Sequence, residues 1–222
     1  PIFPFLHSKI SRMFSDYHRR ISRGCRTNSL EISALSSHSS NCLFIDCGVN
    51  EGYVMSAYRK YLGKNFSFIG FEIQEELIPV ASWRNPGVSI LNKAVGDKNT
   101  FARVHASKTF SVNYRGGSSI LPHKYNTSDY EDTGFDVEVI DLVQFIELRR
   151  NDGFDFVAVK MDIEGAEYPI LRILIKAQEI SNKPFIDYLI IEFHPEVLED
   201  LSEQDYFDKM LSKLNIRLAK WF

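Results

Sequence analysis

The chain is poor in cysteine and has no long apolar run, and each absence excludes a class of protein. Three cysteines in 222 residues cannot staple a fold. Cys25, Cys42 and Cys47 also lack the paired spacing of a zinc site. They read as small buried thiols, which fits a reducing, cytoplasmic compartment. A bilayer-crossing helix needs about 18–20 consecutive apolar residues, and no stretch approaches that, so no integral membrane segment is expected. There is no internal repeat, no low-complexity tract and no G-x-G-x-x-G of the dinucleotide binders.

Positive charge is scarce in the body of the chain. Residues 1–40 carry Lys9, Arg12, Arg19, Arg20, Arg23 and Arg26 against Asp16 and Glu31, a balance of +4, so an overall charge of −3 leaves −7 for the rest. An acidic body argues against nucleic-acid binding, which rests on phosphate neutralisation. The basic leader has neither the apolar core nor the small-residue cleavage site of a signal peptide. The sequence opens on Pro1 rather than Met, which suggests processing, a cut chain or one domain excised from a longer polypeptide.

A hydrophobic fraction of 44% is ordinary for a packed globule. The expected organisation is a basic segment over residues 1–41 and one domain over 42–222. Residues 1–26 read as one or two short helices and the serine-rich 27–41 as a linker with a short helical piece. From Cys42 short apolar runs alternate with amphipathic segments. Strands are expected at Leu43–Asp46, Phe66–Glu72, Val88–Leu91, Phe154–Asp162, Ile186–Phe193 and Ile216–Trp221. Helices are expected at Gly52–Leu62, Gln74–Val80, Ala166–Ile180 and Gln204–Leu214. Strands apolar on both faces and alternating with helices imply an α/β fold: a mostly parallel, doubly wound sheet with helices on both faces. Residues 97–147 break that rhythm and read as an insertion of short antiparallel strands and loops.

Four strands run into a carboxylate: Asp46, Glu72, Asp162 and Glu192. In a doubly wound sheet all four share the carboxyl edge, where ligands bind. Together they make a negative field suited to a cationic or hydroxyl-rich ligand. The first carries the pattern D-x-G-x-N-x-G over Asp46–Gly52, a glycine turn that lets backbone approach a ligand and opens a helix. Glu72, 20 residues past Gly52, stands where an acidic side chain accepts ribose hydroxyls. The pair points to an adenosine-containing ligand without a pyrophosphate.

These residues resemble a known family. Phe44-Ile45-Asp46-Cys47-Gly48-Val49-Asn50-Glu51-Gly52 resembles motif I of the FkbM-type S-adenosylmethionine-dependent methyltransferases. Val159-Lys160-Met161-Asp162-Ile163-Glu164-Gly165-Ala166-Glu167 resembles their second hallmark, K-x-D-x-E-G-A-E, which is the more specific of the two. Asn92-Lys93-Ala94-Val95-Gly96-Asp97 is similar to their A-x-G-D segment, and Val137–Leu142 and Ile191-Glu192-Phe193-His194 follow in the expected order. The likeness covers about residues 42–194; Cys47 departs from the usual small aliphatic residue. It implies a Rossmann-like class I methyltransferase fold and S-adenosylmethionine as cofactor. By this resemblance Asp46, Gly48, Asn50, Gly52 and their neighbour Glu51 hold the methionine end, Glu72 takes the ribose, and Ile73, Asn92 and Ala94 flank the adenine, with Asp162 also in contact.

The resemblance further implies O-methylation of a sugar or secondary metabolite. A sugar or glycan hydroxyl is the first choice, with an adjoining glycosyltransferase domain as partner. Candidates for the base that an alcohol needs are Asp162, Glu164, His194 and, less favourably placed, Lys160. Capping of a helix start accounts for at least one of Glu164 and Glu167. Asp162 with Glu192 would offer oxygen ligands to Mg²⁺, but no third ligand is evident, so a metal is not favoured. Arg115, Ser118, His123 and Tyr125 in the insertion, together with His194, are the candidate acceptor contacts. Alternatives are an N-methyltransferase, a small-metabolite O-methyltransferase and, from another class, an inactive cofactor-binding interaction domain.

Overall fold

A computed structural model describes residues 3–107, 117–121, 130–181, 184–198, 200, 202–214 and 216–221. Nine strands and six helices are described: α1 (Phe3–Leu35), β1 (Cys42–Cys47), α2 (Tyr53–Tyr61), β2 (Phe66–Phe71), α3 (Ile78–Arg84), β3 (Ser89–Leu91), β4 (Ala94–Gly96), β5 (Thr100–Ser107), β6 (Tyr130–Asp141), α4 (Leu142–Asn151), β7 (Phe156–Met161), α5 (Glu167–Ile180), β8 (Tyr188–Ile191), α6 (Ser202–Lys213) and β9 (Arg217–Lys220). The main sheet has the order β3-β2-β1-β7-β8-β9, and every pairing in it is parallel. This is the Rossmann-like architecture expected. Strand order reverses between β1 and β7, the switch point where such sheets open a crevice at their carboxyl ends.

Alternation along the central strands explains why both faces are covered. Leu43, Ile45, Val157, Val159, Leu189 and Ile191 face one core, built with Leu142 and Ile146 of α4, Leu171 and Leu174 of α5, and Phe207 and Leu211 of α6. The residues between them, Cys42, Phe44, Phe156, Ala158, Tyr188 and Ile190, face a second core with Tyr58 of α2 and Ile21, Cys25 and Ile32 of α1. All three cysteines are free and buried, and burial pushes the Cys25 thiol up to about 12.

Residues 27–35 are not a linker: they continue α1 onto the sheet. The spacing Ile21, Cys25, Ser29, Ile32, Ser36 puts one buried residue on each turn. Serine count obscured that stripe, because a small polar residue also fits where helix and sheet approach closely. Glu31 fastens the helix, accepting from the Tyr188 hydroxyl at 2.6 Å and pairing with Arg217. Ile32→Ala is expected to cost about 2 kcal/mol in urea unfolding, the low end for a buried isoleucine because alanine favours the helix. A cost near zero would mean that α1 only rests on the domain.

The insertion is a separate three-stranded sheet, β4-β6-β5, with β5 antiparallel and β4 parallel to β6. Ser119 lies outside the named strands and makes an isolated bridge to His105. Helix α4 was not expected within 97–147. Asp141 caps it by accepting from Gln144 N at 2.9 Å, and Leu142, Val143 and Ile146 bury its inner face. The small sheet packs Ala94, Val104, Val137 and Val139 together with Ile73 and Ile120. It therefore walls the crevice beyond the ends of β1 and β2.

Candidate active site

Past β1 the chain turns through residues of alternating handedness, with φ of 84° at Gly48, 52° at Asn50 and 81° at Gly52. Gly48 N and Val49 N donate to Phe71 O at 3.0 and 3.1 Å, which ties the turn to the end of β2. A Cβ on Gly48 would lie 2.0 Å from the carbonyl oxygen of Asp162, so only glycine lets the turn sit against the end of β7. Gly52 is needed for a different neighbour: its Cβ would meet α3, 3.0 Å from Ala81 Cα. Buried Asn85 donates to Gly52 O at 3.0 Å and closes that contact.

Glu72 is buried beside this turn. Its Oε2 accepts from Asn50 N at 2.7 Å and its Oε1 from Gln74 N at 2.9 Å. Burial raises its carboxyl above the usual range, opposed by those two N–H bonds. The Asn92 amide donates to the backbone oxygens of Glu72 and Ile73 at 3.0 and 3.1 Å. Asn92 is thus a brace for the strand end and does not line the cleft. The cleft itself, about 630 Å³ including the part open to solvent, is lined by Gly48, Asn50, Glu72, Ile73, Ala94, Ser118, Ile120, Asp162 and Glu164 among others.

Two central-strand residues carry charge into the core. Asp46 and Lys160 are register neighbours in β1 and β7, with side-chain exposures of 0% and 1%. Lys160 Nζ donates to Gly48 O at 3.0 Å and lies 3.4 Å from Asp46 Oδ1 and 3.3 Å from Asp162 Oδ2. Burial pushes the Asp46 carboxyl up to about 6 even with Lys160 beside it. The two carboxylates hold Lys160 above the ordinary lysine value despite its burial. With its ammonium bonded to Gly48 O and set between Asp46 and Asp162, Lys160 clamps the glycine turn. Asp46 stands behind the cleft and reaches it through Lys160. Glu51 points away, paired with Arg84 at 3.3 Å.

The E-G-A-E turn opens α5. Glu167, wholly buried, accepts from Ile163 N at 2.8 Å and Gly165 N at 2.7 Å, so it does cap the turn. Its Oε1 also lies 3.1 Å from His194 Nδ1, while His194 Nε2 lies 3.4 Å from Glu164 Oε2. Glu164 has φ 60°, and its carbonyl accepts from the Ser119 hydroxyl at 2.8 Å. Ser119 is not among the candidate site residues read from the sequence, because one serine in a glycine- and serine-rich stretch is too common a signal to single out. Glu192 is half-buried, its carboxyl pushed up to about 7 by burial and then by the charge of Asp162.

The cleft therefore gathers Gly48, Asn50, Glu72, Ile73, Ala94, Ser118, Asp162 and Glu164, with His194 directly behind Glu164. Arg115, His123 and Tyr125 lie outside the described residues. The third metal donor that the Asp162–Glu192 pair lacked is present in another combination: Asp162, Glu164 and His194 each offer an atom within 4.8 Å of the others. Among the described residues no helix is long and apolar enough to cross a membrane.

A carboxyl-edge cleft, a glycine turn with no room for Cβ and a buried acid at the second strand end are what a methyltransferase sheet provides. No curated protein matches the chain. The family description "Methyltransferase FkbM domain" matches residues 46–218, from the acid of β1 into β9. The chain belongs to the FkbM methyltransferase family.

Proposed function

We propose that the chain uses S-adenosylmethionine to methylate a hydroxyl of a sugar or glycan by in-line displacement. The observation that carries this reading is the Glu72 carboxylate, held by two backbone N–H groups at the edge of a cleft whose glycine turn admits no Cβ. Each of its oxygens keeps a further lone pair, as ribose hydroxyls require. Ile73, Ala94 and Ile120 offer apolar surface to an adenine ring, and Asp162 and Glu164 give the other end the negative field that a sulfonium favours. Gly48, Asn50, Glu72, Ile73, Ala94 and Asp162 are assigned to cofactor contact. Asp46, Glu51, Gly52 and Asn92 hold the backbone that makes those contacts.

When bound, S-adenosylmethionine supplies an electrophilic methyl, its carbon–sulfur bond breaking as the oxygen–carbon bond forms and leaving a neutral thioether. The chain aligns the partners, which is worth up to about 7–11 kcal/mol, and accepts the hydroxyl proton, a contribution of about 10²–10⁴ in rate. Glu164 is assigned the proton because it lines the cleft. His194, buried behind it, and Glu167 are positioning residues. Ser118 lines the acceptor side of the cleft, and its hydroxyl suits a sugar.

Glu72→Ala is expected to weaken S-adenosylhomocysteine binding at least tenfold by calorimetry; unchanged affinity would overturn the cofactor assignment. Labelled methyl should pass to members of a glycan panel. Tight cofactor binding with no transfer to any glycan or alcohol would favour the inactive binding domain instead.

A further inference from the structure

We propose that Ser119 is a positioning residue, whose hydroxyl holds the backbone of Glu164 in the conformation that presents this glutamate to the cleft. What Glu164 does there rests on the methyl-transfer reading; how it is held rests on geometry alone. Ser119 is wholly buried, and its hydroxyl is used twice. It donates to Glu164 O at 2.8 Å, across 45 residues of sequence, and accepts from Leu121 N at 3.2 Å. The accepted bond occupies a lone pair and leaves the proton aimed at the carbonyl.

Glu164 needs such a hold. Among the described residues only Asn50 and Glu164 have positive φ without being glycine, at 52° and 60°. The short polar side chain of asparagine tolerates that region, whereas a glutamate stays there only where its surroundings fix it. Glu167 fixes the residues on either side, accepting from Ile163 N at 2.8 Å and Gly165 N at 2.7 Å. Ser119 fixes Glu164 itself, and does so from the insertion. Leu121 packs on the same turn, since a Cβ on Gly165 would lie 3.2 Å from Leu121 Cδ1. Without the hydroxyl the peptide after Glu164 is free to rotate, and relief of the left-handed φ turns the residue from the cleft.

The hydroxyl can be separated from the segment that carries it. Ser119 N donates to His105 O and His105 N to Ser119 O, both at 2.9 Å. Those backbone bonds keep the segment on β5 whatever side chain stands at position 119. Gly117, Ser118 and Ile120, which line the cleft on this side, therefore stay in place when the hydroxyl alone is removed. Its loss should spare cofactor binding and strike the proton transfer.

The test compares Ser119→Ala with the parent chain. In amide hydrogen exchange followed by NMR, without ligand, Ile163 and Gly165 should exchange at least tenfold faster in the variant, and His105 and Ser119→Ala at position 119 within threefold of the parent. With S-adenosylmethionine and a glycan that the parent methylates, kcat should fall at least tenfold while the KM for the cofactor stays within threefold. Ser119→Thr keeps the hydroxyl and should recover the rate; if melting shows it is not folded, Ser119→Ala decides alone. Exchange unchanged at Ile163 and Gly165, or raised equally at all four positions, overturns the proposal, as does an unchanged kcat. If the parent methylates no member of the panel, the methyl-transfer reading fails, and the exchange comparison still decides whether Ser119 holds the turn.

Discussion

Gly48→Ala is expected to abolish measurable cofactor binding and to lower the melting temperature by about 5–15 °C, taking about 2–4 °C per kcal/mol for a domain of this size. Two separate costs combine. At φ 84° an alanine pays about 1–2 kcal/mol of left-handed strain. Its Cβ would also sit 2.0 Å from Asp162 O, a backbone atom that can move only if β1 and β7 part. Overpacking of that kind costs about 1–3 kcal/mol. Parting those strands also moves Asn50 N away from Glu72 and Gly48 O away from Lys160 Nζ. Gly87→Ala is the control, since Gly87 has φ 80° but nothing near its Cβ. It should show the strain cost and bind cofactor normally. Equal cofactor affinity in the two variants would show that the close approach at Gly48 is not what shapes the turn.

Lys160→Met is expected to destabilise the fold by about 3–5 kcal/mol near neutral pH, because it leaves a buried carboxylate without its counter-charge. Asp46 is wholly buried, whereas the Asp162 side chain is 28% exposed and can be hydrated, so the penalty falls mainly on Asp46. Burial already pushes Asp46 up to about 6, and Lys160 is what opposes that rise. Without it the folded carboxyl climbs further above its unfolded value of about 3.9. The folded variant then holds a proton that the unfolded chain releases, so its stability falls as pH rises from about 4 toward neutrality. Urea unfolding of parent and variant should show the smallest gap near pH 4–5 and the largest near pH 8. Asp46→Asn in the Lys160→Met background should recover much of the loss at pH 8. A gap independent of pH, with no recovery in the double variant, would place the cost elsewhere.

Much of the site was legible because it is local. Gly48 and Gly52 stand where a strand must turn sharply, and Asp46, Glu72, Asp162 and Glu192 stand at strand ends that the periodicity locates. The roles of individual residues were less legible. Asp46 and Glu51 belong to one motif, yet one is buried against Lys160 and the other points to Arg84. Side chains five positions apart can serve different neighbours, and sequence spacing does not say which face receives a partner. Lys160 offered a clue in a run otherwise apolar: a charge inside a central strand needs an opposite charge in register, and Asp46 is that neighbour. Helix α4 was also within reach, since Asp141 and Gln144 have capping spacing at the start of a segment with Leu142, Val143 and Ile146 on one face. The strand pattern that ends on the same aspartate masked it.

The order of apolar runs, the glycine turn and the acidic strand ends were set by the sequence alone, because strand burial and left-handed backbone depend on residues close along the chain. Three matters were decided only by tertiary structure: that α1 covers the sheet, that Lys160 joins Asp46 to Asp162, and that His194 stands between Glu164 and Glu167. Each joins residues from different elements. Their distances come from how the sheet twists and which strands become neighbours, which no local pattern records.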